Sequence, residues 1–184
     1  KAIENTCTKL AENVTRPEIS QIDTIASSRI AYKALGKDPS RYRLSAEALL
    51  RRVVTGKSLY KINNIVDTLN LISIETGYSI GGYDLDQIQG DVVLGIGANE
   101  EPYEGIGKGR LNIENLPVFR DVEGAFGTPT SDSTRTMVTE KTKSFLMIFL
   151  NFGHHNSLKE VLIQTTSLYQ QFTNAKNCQT LIIE

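Results

Sequence analysis

The apolar residues of this chain change their spacing once, and that change restricts the fold more than any other feature. Ile3, Cys7, Leu10, Ala11 and Val14 recur at the interval of a helix face, and so do Ile19, Ile22, Ala26, Ile30 and Ala34. Pro17 stands where a second helix can start and Gly36 where it can stop. Asp38-Pro39-Ser40 marks a turn. Ser45 is a predicted N-cap for a short helix through Val54, closed by Gly56. A fourth helix is predicted from Asn63 to Thr76, with Ile62, Ile65, Val66, Leu69 and Ile72 inward and Gly77 as its stop.

Beyond Gly77 the helical period disappears. Residues 91–94, 118–119 and 145–150 read as short strands between glycine-rich or polar connections, the last of them buried. Helix returns over 157–172, where Leu158, Val161, Leu162, Thr165, Leu168, Tyr169 and Phe172 share a face. Residues 181–183 read as a terminal strand docking back into a sheet. Helices flanking strands that look antiparallel, rather than alternating with them, predict the α+β class. With no repeat, low-complexity segment or linker, the expectation is a single domain over 1–184.

The chain has 184 residues, 40% hydrophobic and 22% charged, enough to bury a core without a disulfide or metal staple. Cys7 and Cys178 stand at opposite ends. Cys7 falls on an apolar face, which predicts a buried thiol, and the pattern suits a reducing, cytoplasmic setting. No apolar run approaches membrane-spanning length, so no membrane partner is expected. Net charge is −1, which argues against indiscriminate coating of nucleic acid. The charge is polarised, however. Arg41, Arg43, Arg51, Arg52, Lys57 and Lys61 share one stretch with a single acid, Glu47. Asp84, Asp86, Asp91, Glu100, Glu101 and Glu104 share another without a base. The two stretches are either solvated faces of a neutral domain or one surface that holds a phosphate backbone.

Gly105-Ile106-Gly107-Lys108-Gly109-Arg110 lacks the spacing of a nucleotide-binding loop and reads as a flexible turn. His154 and His155 read as a polar lead into the last helix; no metal or cofactor is expected. Asn63, Asp67 and Asn70 form a polar stripe on the fourth helix, followed by Gly81-Gly82-Tyr83-Asp84, where glycines let the backbone pass close to something bulky. The hydroxyl-rich stretch 128–136, with Asp132 and Arg135, either hydrogen-bonds a polar ligand or satisfies its own backbone.

Together Asn64-Ile65-Val66-Asp67-Thr68-Leu69-Asn70 and, after Gly77, Tyr83-Asp84-Leu85-Asp86-Gln87-Ile88-Gln89-Gly90 resemble the B3/B4 domain of the phenylalanyl-tRNA synthetase β subunit. Val138-Thr139-Glu140-Lys141-Thr142-Lys143 resembles a later stretch of that family. Arg41-Tyr42-Arg43-Leu44-Ser45-Ala46-Glu47 resembles the lead-in of small proteins carrying the domain alone. The resemblance covers about residues 40–150, leaving 1–39 as a helical N-terminal segment and 151–184 as a C-terminal helix and strand. It implies a three-layer fold with a β-sandwich flanked by helices. It also implies binding of the acylated tRNA 3′ end, with hydrolysis of tyrosine wrongly attached to it.

Carried over position by position, the family's helix pair reads Leu69-Asn70 and its His-Ala-Phe-Asp reads Gly81-Gly82-Tyr83-Asp84, so the pocket histidine is a glycine here. Its glycine loop falls near Asp132 to Thr136. The resemblance implies Asn70, Thr136 and Asp84 as catalytic candidates. Asn63, Asp67, Gly81, Gly82, Tyr83, Ser131, Asp132 and Arg135 line the substrate pocket in this reading. Arg41, Arg43, Arg51, Arg52 and Lys61 hold RNA phosphates. Asp84 could instead cap a turn and Asn70 hold a helix end. The alternative is an inactive module binding a small amino-acid-like or nucleoside ligand, or a protein.

Overall fold

The computed structural model describes residues 2–153 and 158–183. His154, His155 and the expected helix start at Ser157 lie outside these residues. The elements are α1 (Ala2–Asn13), α2 (Asp23–Ala34), α3 (Ser45–Val54), α4 (Asn64–Thr76), β1 (Ile80–Asp84), β2 (Val93–Ile96), β3 (Glu104–Gly105), β4 (Gly109–Arg110), β5 (Pro117–Asp121), β6 (Gly124–Gly127), β7 (Phe145–Phe149) and α5 (Leu158–Thr173). Short 3-10 turns occupy Glu18–Gln21, Leu85–Gln87 and Thr134–Thr136.

β7 shows how the layers form. It pairs antiparallel with β1, and its side chains alternate between faces. Phe145, Met147 and Phe149 pack with Leu69, Ile72, Tyr78 and Tyr169 from the α4–α5 side. Leu146 and Ile148 pack instead with Tyr83, Phe119 and Phe126, which bring in the three-stranded sheet β2-β5-β6. The order is therefore helices, two-stranded sheet, three-stranded sheet: an α+β fold with a sandwich covered by helices. A separate core of Ile19, Ile25, Leu44, Leu50 and Ile74 joins α1, α2 and α3 to Tyr103, Ile113 and Leu116.

Several expectations change in detail. The α2 stripe is Thr24, Ile25, Ser28 and Tyr32, while Ile30 is 68% exposed. A 3-10 turn and the extended Ile22 (ψ 125°) interrupt the chain before α2, so the spacing carried on from Ile19 falls out of phase. Ser45 is the first helical residue of α3 rather than a side-chain cap, and its amide donates to the Pro129 carbonyl at 2.8 Å. Ile62 is exposed because the chain is still extended before α4. Gly77 does end α4, at φ 73°. β2 begins two residues later than residues 91–94 suggested, and its Val93, Leu94 and Ile96 are exposed because it is a sheet edge. β7 is half-buried rather than buried, although its partner β1 is buried throughout. Residues 181–183 form no strand; Leu181 and Ile183 are exposed. Cys7 is half-buried with its thiol pushed up by burial, and Cys178 is exposed. Among the described residues no helix is long and apolar enough to cross a membrane.

Candidate functional site

The loop from Thr128 to Thr136 is held from several sides. The Thr128 hydroxyl accepts from the amides of Thr130 (3.2 Å) and Ser131 (3.0 Å) and donates to the Ser131 carbonyl (3.0 Å). The Ser133 hydroxyl accepts from the Arg135 amide at 3.2 Å. Much of the hydroxyl content thus satisfies the loop's own backbone. Tyr103 donates to the Ser131 carbonyl at 2.6 Å, and the Tyr32 and Thr130 hydroxyls are bonded at 3.0 Å. Arg135 turns away from the loop's centre, forming a two-pronged bond to Asp121 (3.0 and 2.7 Å) and a third to Glu123 (3.2 Å). Burial opposes the charge of Asp121, but bonds from Arg135 and the Gln89 and Glu123 amides outweigh it and hold the carboxyl below its usual range.

Asp132 is different. Its Oδ2 accepts from the Gly82 amide at 3.2 Å, and among the described residues no cation comes within salt-bridge distance. Burial pushes the carboxyl up to about 7, against the pull of Tyr83, the Gly82 amide and Lys108. Beside it lies the fully buried Tyr83 hydroxyl, which interacts with the Asp132 carboxyl but among the described residues forms no well-shaped hydrogen bond. Burial first, then the Asp132 charge, drives that phenol well above its ordinary value. Lys108 is exposed as a residue, yet its amine folds back onto the Thr130 carbonyl at 3.0 Å. Burial and the repulsion of Arg43 lower its pKa, while Asp132 works the other way. The glycine-rich turn is thus a β3–β4 hairpin that delivers an amine to the loop.

The bulky group that the glycines admit is Tyr83 itself. A Cβ at Gly81 or at Gly127 would overlap its hydroxyl, so the ring lies flat across β1 and β6. Gly82 faces the opposite side, where a Cβ would meet Leu69 and Phe145. Other sequence candidates act in the backbone. Asn63 caps α4 by accepting from the Val66 amide at 2.9 Å, and Asp67 accepts from the Ile62 amide at 2.9 Å. Asp84 caps the turn after β1, accepting from the Asp86 amide (3.1 Å) and the Thr142 hydroxyl (2.8 Å). Thr136 is 0% exposed, and its Oγ1 meets no partner among the described residues. Asn70 is partly exposed on α4, and no hydrogen bond ties it to the Asp132 loop. The structure therefore brings together Gly81, Gly82, Tyr83, Ser131 and Asp132, while Asn63, Asp67 and Arg135 hold local structure elsewhere.

The basic stretch resolves into two kinds of residue. Arg16, Arg43, Arg51, Arg52 and Lys57 surround an open groove of about 370 Å³ with Ala48 and Thr55, and no acid lines it. Beneath it the buried Glu47 meets Arg29 (2.8 Å), Arg51 (3.0 Å) and Arg43 (3.9 Å), one negative charge against three positive ones. Arg52 donates to the Ser58 carbonyl and stacks on Tyr60 with its guanidinium 3.9 Å from the ring centre. Arg41 and Lys61 lie outside the groove; Arg41 sits over Tyr42 and Lys61 pairs with Glu4 at 3.7 Å. On the acidic side Glu101 is bound by Arg120 at 2.6 Å, so that stretch is not uniformly free.

A family model described as the B3/4 domain matches residues 27–178. The chain belongs to the B3/4 domain family. No curated protein matches it. In this B3/4 domain, two functional candidates escaped the sequence reading. Arg16 stands far from the other groove cations and arrives only because α1 and the turn after it pack on α3. Lys108 was visible only as part of a glycine-rich turn. Its sole signal was a lysine at a hairpin tip, which gives no direction for the amine.

Proposed function

We propose that this B3/4 domain binds tRNA, with the groove over α3 holding backbone phosphates and the acylated 3′ end reaching the Asp132 loop. The observation that carries this reading is the groove: five cations and no acid in its lining. Each phosphate contact releases condensed counterions, so such a groove binds a phosphodiester chain without reading its bases. The groove adjoins the loop. The Ser45 amide at the start of α3 donates to Pro129, and Arg43 is close enough to Lys108 to depress its pKa.

In this proposal the domain acts in trans as an aminoacyl-tRNA deacylase. An aminoacyl ester is already activated, so positioning a water against it suffices without a strong nucleophile. The test is deacylation of mischarged tyrosyl-tRNA for phenylalanine, with correctly charged and free tRNA as controls. Selective hydrolysis abolished by Asn70→Ala supports the enzyme. Salt-sensitive binding without hydrolysis leaves an RNA-binding domain. One observation favours a second reading, a module that binds an amino-acid-like ligand without reacting. Gly81 stands where the resemblance places a pocket histidine, and Tyr83 covers it. A thermal midpoint raised by free amino acids but not by tRNA supports that alternative.

A further inference from the structure

We propose that Tyr60 is a stacking platform for an unpaired base of the bound nucleic acid, set at the rim of the basic groove by Arg52. The ligand class rests on the phosphate-binding reading above. The platform itself rests on the short segment between α3 and α4. Leu59 is buried in the core beneath α1, α2 and α3, whereas the next residue, Tyr60, is 66% exposed. The buried leucine anchors the backbone, and the phenol ring that follows it stands in solvent.

Arg52 holds that ring in place. Its guanidinium lies 3.9 Å from the ring centre, and it donates to the Tyr60 hydroxyl at 3.0 Å and to the Ser58 carbonyl at 2.7 Å. The same side chain lines the groove with Arg16 and Lys57, so ring and phosphate-binding cations adjoin. Lys61, next in the chain, is paired with Glu4 at 3.7 Å, which leaves Arg52 and Lys57 as the cations for phosphates flanking a stacked base. Arg52 covers one face of the ring, and the exposure of Tyr60 leaves the other as a flat apolar surface. A ring already pinned loses little freedom on binding. Every nucleobase has a flat face of its own, so stacking there needs no base-specific hydrogen bond. Bases inside a duplex are stacked on one another and do not reach such a ring, so the platform serves single strands.

The test measures affinity by fluorescence anisotropy for a short labelled oligoadenylate, the same strand with abasic sites, and its duplex with oligouridylate. The intact strand should bind roughly tenfold more tightly than the abasic one. Tyr60→Leu should remove that advantage, leaving abasic-strand and duplex affinities and the salt slope as they were, and Tyr60→Phe should restore it. Thermal melting checks that both variants fold. Abasic and intact strands bound equally by the unaltered protein would overturn the proposal. So would a Tyr60→Leu variant that loses the same factor on both strands, which would mean that Tyr60 only positions Arg52. In either case salt-dependent binding keeps the groove and removes the platform alone. Binding that is absent or independent of salt would remove the groove reading and the platform with it.

Discussion

Asp132→Asn should make the domain more stable at pH 8, and the size of the gain follows from the environment of the carboxyl. Burial raises the group from 3.8 to about 7. A group whose pKa is raised on folding stabilises the fold while protonated and loses that contribution as pH climbs through the folded value. At about 1.4 kcal/mol per pH unit, the charged carboxylate costs the folded state at most about 4 kcal/mol at pH 8. Asp132 keeps partial exposure, so roughly half of that, about 2 kcal/mol, is the working figure. Asparagine keeps the acceptor for the Gly82 amide and carries no charge. For a chain of this length the midpoint should rise by about 4–8 °C at pH 8 and by close to nothing at pH 4. Calorimetry on both proteins at both values reads the difference directly. A variant less stable than wild type at pH 8 would show that the loop favours the charged carboxylate, and the reasoning would fail.

Three further outcomes follow from packing. Arg135→Ala leaves the buried Asp121 carboxylate without its two-pronged partner and should cost about 3–5 kcal/mol in urea unfolding; a loss under 1 kcal/mol would make that clamp incidental. Gly127→Ala drives a methyl into the Tyr83 hydroxyl, and an overpacking cost of about 1–3 kcal/mol should appear as a lower thermal midpoint. An unchanged midpoint would mean that the ring moves freely. Tyr83→Phe removes a buried hydroxyl whose contact with Asp132 falls short of a well-shaped hydrogen bond, so stability should change by less than about 1 kcal/mol, and a large loss would reveal a full bond to Asp132.

What the sequence could and could not convey divides along physical lines. The helices α1, α3, α4 and α5 were legible because their apolar faces repeat over ten residues or more, and Gly77 fixes its stop by a left-handed backbone. β1 was hidden: Gly81 and Gly82 leave little alternation, and what makes it a strand is pairing with β7 across a long stretch of chain. Residues 181–183 looked like a strand because they are apolar, yet a strand needs a partner edge and they meet none. The polar stripe of α4 read as pocket chemistry, but Asn63 and Asp67 serve the unsatisfied amides at the helix start, a demand that spacing alone does not separate from ligand binding. Asp132 was visible as the acid of a hydroxyl-rich loop. The arrival of the Lys108 amine at its loop arises only when the β3–β4 hairpin folds over that loop.

The groove is the central claim, and the dependence of tRNA affinity on salt tests it most directly. Arg16, Arg52 and Lys57 are the residues to change, because none of them supports the buried Glu47 as Arg43 and Arg51 do. With each phosphate contact contributing about 0.7–0.9 to the slope of log affinity against log salt, replacing all three by alanine should flatten that slope by about 2–3. Affinity that does not depend on salt, or a slope the triple variant leaves unchanged, would contradict the account.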